Sequence, residues 1–185
     1  MTTLSTIQRP TADEYFEYYG KYIALVPDGD LLALLQTQNT EAAALLASVT
    51  PAKADFAYAP GKWTIKEVVG HLCDAERVFA YRAMRFGRAD ATALASFDEN
   101  TYVPAGKFGQ RSLAELVEEF RAIRSATIHL AKHFDAEASA RQGTASGHPI
   151  SVRALLYIIA GHERHHVALL RERYLTSESL RPLVP

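Results

Sequence analysis

The sequence predicts an all-α protein, a four-helix bundle with a short extra N-terminal helix and a long crossover connection. Apolar residues recur with the helical period of 3.6 in every long block, and no block alternates cleanly as a strand does. Capping-box patterns precede several blocks, and Pro or Gly residues separate them. Because the chain has 185 residues and 48% of them are hydrophobic, we expect a single domain over residues 1–185.

The first two predicted helices lie before residue 50. Thr11 and Glu14 form a capping-box pair at the start of a short, tyrosine-rich helix that ends before Pro27. After a turn at residues 28–30, the spacing of the leucines predicts a longer helix that ends near Val49. Prolines and glycines then predict a loop up to residue 61.

Three more long helices complete the predicted bundle. One is capped by a threonine and covers residues 64–87, and the next is capped by a serine and covers residues 112–128. Between them, residues 88–110 are predicted to form the crossover connection with about one turn of helix. Residues 143–149 are predicted to be a loop, and the final helix covers residues 151–174.

Composition excludes several classes of function. Lysine and arginine total 20 and aspartate and glutamate total 21, so the chain lacks the basic excess of a nucleic-acid binder. The single cysteine, Cys73, cannot form an internal disulfide, and we interpret it as a small buried residue. Neither a signal-peptide core nor a run of about 18 apolar residues is present, so we expect a cytoplasmic protein without a membrane partner.

The most informative segment is residues 161–166, which contains three of the seven histidines. His162 and His166 are one helical turn apart, so their side chains lie within roughly 40° of each other and can bind one metal ion. Both fall on the apolar face of the final helix, whereas His165 lies nearer its edge. Spacing alone leaves His162 paired with either His165 or His166. It also leaves open a hydrogen-bonded pair of core histidines without metal.

A third ligand would have to come from another helix, and His71 is the natural candidate. It faces the core of the helix over residues 64–87, next to Val68 and Leu72. Asp74 lies one turn further on, where it could accept a hydrogen bond from a ligand histidine or from a metal-bound water. The alternative for Asp74 is a surface carboxylate that forms a salt bridge, with Arg77 among its partners.

Residues 162–166 also match H-E-x-x-H, the metalloprotease signature in which Glu163 would be the general base. The metzincin extension of that signature requires glycine and histidine where this chain has Leu169 and Glu172. Glu172 is also too close in sequence to be a third ligand from a separate helix. We therefore do not expect Glu163 to be a catalytic base.

Residues 61–77 closely resemble the second-helix motif of the DinB/YfiT-like superfamily, and residues 161–166 resemble its C-terminal motif. The resemblance covers nearly the whole chain, and the spacing of its three histidines is its most specific feature. It implies a four-helix bundle of the DinB/YfiT type that holds a divalent metal, often zinc or nickel. Carried over by motif, the ligands are His71, His162 and His166, and His165 is not one.

The resemblance also implies a class of chemistry. Members are described as metal-dependent hydrolases, and some relatives transfer low-molecular-weight bacterial thiols such as bacillithiol or mycothiol. Three histidines leave positions open on the metal, where water or a thiolate can bind. We therefore expect a metal-dependent hydrolase or thiol transferase that acts on a small molecule. One alternative is a non-catalytic metal-binding stress-response module, and another is a structural bundle whose histidines hydrogen-bond one another.

The ligands alone do not distinguish hydrolysis from thiol transfer, because the pocket walls determine the substrate. The sequence leaves open whether the crossover at residues 88–110 reaches the site, and Trp63 is expected mainly to pack at its helix start. A homodimer is compatible with the many aromatic residues. The candidate wall residues are Trp63, Asp74, Arg77, Asp98, Glu99, Asn100 and Tyr102.

Overall fold

Four long helices dominate the computed structural model, which describes residues 7–175. Two of them carry the three candidate ligand histidines, and each long helix packs against two others, so the four form a closed bundle. The predicted all-α bundle is therefore confirmed. In chain order the helices are α1 (Gly20–Ile23), α2 (Leu31–Ala47), α3 (Pro51–Ala54), α4 (Ile65–Gly87), α5 (Glu99–Gly106), α6 (Leu113–Ala131), α7 (Ala136–Ala140) and α8 (Val152–Leu169).

The predicted caps start the long helices. The Thr64 hydroxyl accepts a hydrogen bond from the Glu67 amide at 3.2 Å, and the Glu67 carboxylate accepts one from the Thr64 amide at 2.7 Å. Ser112 starts α6 with the same reciprocal pair, and Ser151 accepts a hydrogen bond from the third residue of α8. These bonds satisfy amide groups that a helix start otherwise leaves unpaired.

The connections contain more structure than the sequence predicted. The tyrosine-rich N-terminal helix is two 3₁₀ turns, Ala12–Glu14 and Glu17–Tyr19, followed by the single turn of α1. The predicted loop after residue 50 contains α3, and the crossover contains all of α5 and a 3₁₀ turn at Phe108–Gln110. These elements are too short to show a helical period in the sequence, so the prediction gave too little helix in the connections and did not resolve the separate turns of the N-terminal helix.

The loop predicted at residues 143–149 is a β-hairpin. Strand β1 (Gln142–Ala145) pairs antiparallel with β2 (His148–Ser151), and Ser146 and Gly147 form the turn. Both turn residues have positive φ, 55° and 79°, as a two-residue hairpin turn requires. The strands have four residues each, which is too short for alternation to be visible.

The core consists of two apolar clusters along the bundle. Val152 and residues 154–160 of α8 belong to the first cluster, and Leu170 just beyond α8 belongs to the second, so His162 and His166 lie between them. Beyond α8, Leu170–Tyr174 continue as a wider π-helical turn up to the predicted helix end. In the part of the chain that the structure describes, no helix is both long enough and apolar enough to span a membrane.

A buried ion cluster connects the two histidine-bearing helices. Arg124 of α6 donates two hydrogen bonds of 2.9 Å to Glu76 of α4, and its Nη1 lies 2.5 Å from the carboxylate of Glu163 in α8. Burial disfavours the charged form of Arg124, but the two carboxylates outweigh this effect and raise its pKa. All three side chains are almost fully buried, so each charge depends on its partners for stabilisation.

The N-terminal segment contacts α8 at the residue before His162. A Cβ atom on Gly161 would lie 2.0 Å from the carbonyl oxygen of Tyr22, so only glycine allows this approach. The contact places the Tyr22 ring against His162, with the ring centroids 5.2 Å apart. Gly161 therefore determines how closely α1 packs on the site.

We predict that Gly161→Ala destabilises the fold by about 1–3 kcal/mol, because backbone rather than a flexible side chain occupies the space for its Cβ. The matched control is Gly20→Ala, where the nearest atom to a Cβ would be 3.8 Å away. The control should be neutral or stabilising by up to about 1 kcal/mol, because alanine is the better helix former. Urea unfolding measures both variants, and equal stabilities would contradict the close approach.

We predict that Arg124→Met costs about 3–5 kcal/mol, because it leaves two carboxylates buried without a counter-ion. Arg121→Met is the control, since Arg121 is an exposed arginine on the same helix, and its effect should stay within about 0.5 kcal/mol. The free energy of unfolding from urea titration at neutral pH separates the two. A similar effect of both substitutions would show that the cluster is not stabilising.

Candidate metal centre

Three histidine side chains from two helices converge on one point. The Nε2 atom of His162 lies 3.0 Å from Nε2 of His71 and 3.1 Å from Nε2 of His166. One ligand atom from each ring lies within 4.8 Å of the other two. The arrangement combines an i, i+4 pair from α8 with one histidine of α4, 91 residues away from His162 in sequence. These are the three residues that the family motif indicated.

The three imidazoles are buried and therefore uncharged at neutral pH. Their exposed fractions are 6% for His71, 7% for His162 and 8% for His166. Burial lowers the pKa of His71 to about 4 and that of His166 to about 3, and it also lowers the pKa of His162 well below its ordinary value. Neutral imidazole is the form that binds a metal ion, because a protonated ring nitrogen has no free lone pair.

Hydrogen bonds cannot satisfy this arrangement of nitrogens. A ring nitrogen has either one hydrogen or one lone pair, so Nε2 of His162 can make one good hydrogen bond. Two other Nε2 atoms lie close enough to bond to it. A cation that accepts the three lone pairs satisfies all of them at once, which argues against a purely structural role. The donor set therefore fits a divalent metal such as zinc or nickel.

The histidines form one wall of a cavity of about 330 Å³, which we call the histidine cavity. The N-terminal segment contributes three tyrosines and α4 contributes Phe79. The crossover also reaches the site, through Phe97 and Glu99, and the turn of the hairpin contributes Ser146. The lining residues are Tyr18, Tyr19, Tyr22, Trp63, His71, Ala75, Phe79, Phe97, Glu99, Ser146, His162, His165 and His166.

Hydrogen bonds hold the crossover against the hairpin. Buried Arg82 donates to the carbonyl oxygen of Ala95 at 2.7 Å and to the hydroxyl of Ser146 at 3.1 Å. The backbone amide of Leu94 donates to the carbonyl oxygen of Thr144 at 2.8 Å. Phe97 and Glu99 follow this anchored segment directly, so the wall that they form is fixed relative to the bundle.

A smaller cavity of about 250 Å³, which we call the side cavity, shares Trp63 and His166 with the histidine cavity. Trp63 is more than the packing anchor that its position predicted, because its ring lies 4.9 Å from the His71 ring. The lining residues of the side cavity are Tyr58, Gly61, Lys62, Trp63, Val68, Asn100, His166, Leu169 and Tyr174.

The structure does not bring Asp74 to the histidines. Its carboxylate lies 3.6 Å from Arg77, and Asp74 lines neither cavity. Burial and Glu119 raise the pKa of Asp74, and Arg77 opposes them. Asp74 thus forms the salt bridge that was the alternative prediction for it.

The other candidate wall residues divide into two groups. Trp63, Glu99 and Asn100 line one or both cavities, whereas Arg77, Asp98 and Tyr102 line neither. Asp98 instead caps α5 by accepting a hydrogen bond from the Asn100 amide at 2.9 Å.

Glu163 lies in the ion cluster with Arg124 and is absent from the lining of the histidine cavity. A carboxylate held by an arginine in the core cannot approach a substrate at the histidines. The match to the protease motif therefore reflects residue spacing and not a catalytic role of Glu163. Cys73 is buried, and burial raises the pKa of its thiol to about 12. A thiol with a raised pKa is a poor nucleophile, in agreement with the prediction of a small buried residue.

Sequence reasoning missed the N-terminal tyrosines, Phe79 and Ser146 as wall residues. The available signal was the residue type at Tyr18, Tyr19 and Tyr22. A helix that only packs on a core rarely needs three hydroxyl groups, so tyrosines at these positions indicate contact with a polar site. No local pattern identifies Ser146, because the hairpin turn reaches the cavity only through tertiary packing.

The chain is similar in sequence to one protein family and in structure to one of the solved proteins. A model of the DinB superfamily matches residues 34–170, a segment that contains all three histidines. The chain belongs to the DinB superfamily. YfiT from Bacillus subtilis has a similar structure, with a TM-score of 0.67 and 18% identity over 89% of this chain and 90% of that one. YfiT is described as a probable metal-dependent hydrolase with an unusual four-helix bundle topology. At this identity the likeness shows the fold alone, and no curated protein matches the sequence.

We predict that His166→Ala abolishes binding of the divalent metal, because it removes one of three converging nitrogens. His165→Ala is the matched control, since His165 is the adjacent exposed histidine and its ring is not in the converging set. Elemental analysis of protein purified without a histidine tag should give about one equivalent for the wild type and the control. Less than about a tenth of an equivalent in the wild type, without uptake on reconstitution, would contradict the metal centre.

Proposed function

We propose that this DinB-superfamily protein is a metal-dependent enzyme that acts on a small molecule. His71, His162 and His166 hold a divalent ion, zinc or nickel, and the enzyme activates either water for hydrolysis or a low-molecular-weight thiol for transfer. The observation that supports this proposal is the convergence of three buried, neutral Nε2 atoms at the wall of a cavity. A structural metal site is usually closed by four protein ligands, whereas three ligands leave room for a reactant.

The bound ion would supply one effect, which is to lower the pKa of a water molecule or thiol towards neutrality. The residues of the chain must then bind the substrate and accept the proton. Aromatic rings of Tyr22, Phe79 and Trp63 lie next to the histidines and limit access of bulk water. A dry wall strengthens the electrostatic interactions within the cavity.

Glu99 is the residue that we assign as the proton acceptor. Among the residues that line the histidine cavity it has the only carboxylate, and no ion pair engages it within residues 7–175. Its negative charge raises the pKa of His71, against the larger lowering by burial, so the carboxylate acts at the histidines. A water or thiol would transfer its proton to a Glu99 oxygen and keep the electron pair as the nucleophile.

Two tyrosines are suited to orienting the substrate. Burial raises the pKa of Tyr22 and that of Tyr19, with Arg82 opposing the rise at Tyr19, so both phenols keep their protons at neutral pH. A protonated phenol can donate a hydrogen bond to a substrate oxygen. Aromatic walls with a few hydroxyls suit a compact organic substrate better than a polymer.

The alternative is a metal-binding stress-response module of the same fold without turnover. Cytoplasmic localisation also remains a proposal, supported by the single cysteine, which is buried and cannot form an internal disulfide. The near-balanced charge of −1 supports action without nucleic acid. The homodimer remains a prediction.

We predict that the zinc- or nickel-loaded protein hydrolyses members of a p-nitrophenyl ester panel, or transfers a bacterial thiol to monobromobimane. Glu99→Gln should lower the rate by about 10²–10⁴-fold without changing metal content, because glutamine has nearly the shape of glutamate but cannot accept the proton. Glu118→Gln is the control, since Glu118 is an exposed glutamate of α6. Steady-state rates at neutral pH compare the wild type with both variants.

The outcomes separate the hypotheses. Metal binding without turnover of any probe would favour the non-catalytic module. If His166→Ala abolishes turnover, the metal enzyme is supported. If Glu99→Gln preserves turnover, Glu99 is not the proton acceptor.

A further inference from the structure

Arg82 of α4 is a buried cation without a carboxylate partner. Its side chain is 2% exposed, and among residues 7–175 no carboxylate, including Glu99 of the histidine cavity, lies within ion-pair distance of it. Neutral groups surround the guanidinium instead. They are the carbonyl oxygen of Ala95 at 2.7 Å, the hydroxyl of Ser146 at 3.1 Å and the ring of Phe97. Neutral partners stabilise a buried charge less than a counter-ion does.

The buried Arg124 shows what Arg82 lacks. The carboxylates of Glu76 and Glu163 raise the pKa of Arg124 in spite of its burial. Burial lowers the pKa of Arg82, and Tyr19 alone opposes this effect. The phenol of Tyr19 contributes no negative charge at neutral pH, because burial raises its pKa. The described part of the chain therefore leaves the positive charge of Arg82 without a counter-ion.

The groups around Arg82 open onto the histidine cavity, which Tyr19, Phe97 and Ser146 all line. The oxygen of Ser146 accepts a hydrogen bond from Arg82, so its own hydrogen remains for an acceptor in the cavity. The positive charge of Arg82 lowers the pKa of Tyr19 against the larger rise from burial, so this phenol lies close to the guanidinium. Ser146 and Tyr19 are only partly buried, so a ligand in the cavity can reach both.

We propose that this end of the histidine cavity binds a carboxylate group of the substrate. The hydroxyls of Ser146 and Tyr19 donate hydrogen bonds to the carboxylate, and Arg82 supplies the balancing positive charge. Arg82 is a positioning residue, because it acts through these hydroxyls and does not line the cavity itself. One buried positive charge balances the single negative charge of a carboxylate. The proposal rests on the proposed function, since it takes the histidine end of the cavity as the reacting end.

One aromatic ring lies between the two ends of the cavity. The centroid of the Phe79 ring is 6.1 Å from that of Tyr19 and 6.2 Å from that of His162. A substrate that uses both ends therefore needs a short linker between its carboxylate and its reacting group. An apolar linker suits this aromatic wall.

The test compares two thiols that differ in charge, 6-mercaptohexanoate and 6-mercaptohexanamide. Each is titrated into protein loaded with cobalt(II) at neutral pH, and binding is followed by the sulfur-to-cobalt charge-transfer absorption. The sulfur binds the metal in both cases, so a difference in affinity reports on the other end of the molecule. We expect the wild type to bind the acid at least about tenfold more tightly, which corresponds to about 1.4 kcal/mol.

Four variants test the residues of the subsite. Arg82→Met should abolish the preference for the acid, and Arg82→Lys should keep part of it, because lysine retains the charge. Ser146→Gly and Tyr19→Phe should each reduce the preference, change the affinity for the amide much less and leave the cobalt content unchanged. Glycine suits position 146, where φ is 55°. The control is Arg85→Met, which removes a positive charge from the same helix at a residue that lines neither cavity, and it should keep the full preference.

Equal affinities of the wild type for the two thiols would overturn the subsite and leave the metal enzyme standing. A preference that survives Arg82→Met, or that Arg82→Met and Arg82→Lys reduce equally, would also overturn it, because the charge of Arg82 would then have no role. If Arg82→Met does not fold, an unchanged preference in both Ser146→Gly and Tyr19→Phe overturns the subsite. If cobalt binds and neither thiol binds, the proposed function and the subsite fail together. If no cobalt binds, the proposed function fails, and calorimetry with hexanoate and hexanamide tests the subsite by the same ratio of affinities.

Discussion

The ion cluster around Arg124 is the interaction on which the metal centre depends. It joins Glu76, five residues after His71 in α4, to Glu163, the residue after His162 in α8. A helix that rotates or slides would separate these buried charges, and unpaired charges in a core are costly. The cluster therefore fixes the rotation of both helices about their axes. The histidines can then converge although hydrogen bonds among them do not satisfy all three nitrogens.

Apolar packing alone would not give this precision. Leucine and isoleucine contacts along α4 and α8 stabilise the bundle, but they tolerate small shifts of one helix past the other. A two-point hydrogen bond from Arg124 to Glu76 has a fixed geometry and tolerates much less. Glu163, which occupies the position of a protease base in the sequence motif, thus contributes to the site by positioning its neighbour His162.

The sequence predicted what depends on local spacing and missed what depends on tertiary contact. Helical periodicity and capping boxes located the four long helices. Spacing left His162 paired with either His165 or His166, and the apolar face and the family motif favoured His166. His71 was the natural candidate for a third ligand because it faces the core, but only the family motif joined it to residues 91 positions away. Asp74 was one turn from His71, yet spacing on one helix cannot tell which neighbour an edge residue faces. The neighbour of Asp74 is Arg77, and the carboxylate at the site, Glu99, comes from a short helix that has no periodic signal.

Each histidine-bearing helix has a glycine directly before its first ligand. Gly161 accommodates the carbonyl of Tyr22, and Gly70 accommodates the ring of Phe108, which would lie 2.3 Å from an added Cβ. Tyr22, a wall residue of the site, and Phe108 of the crossover thus rest directly on the backbone of the ligand helices. Over evolution, a larger residue at either position would require a compensating change in the segment that packs on it. Within the superfamily, the residue before each ligand and the opposing segment should therefore vary together, and they would indicate which members share this cavity.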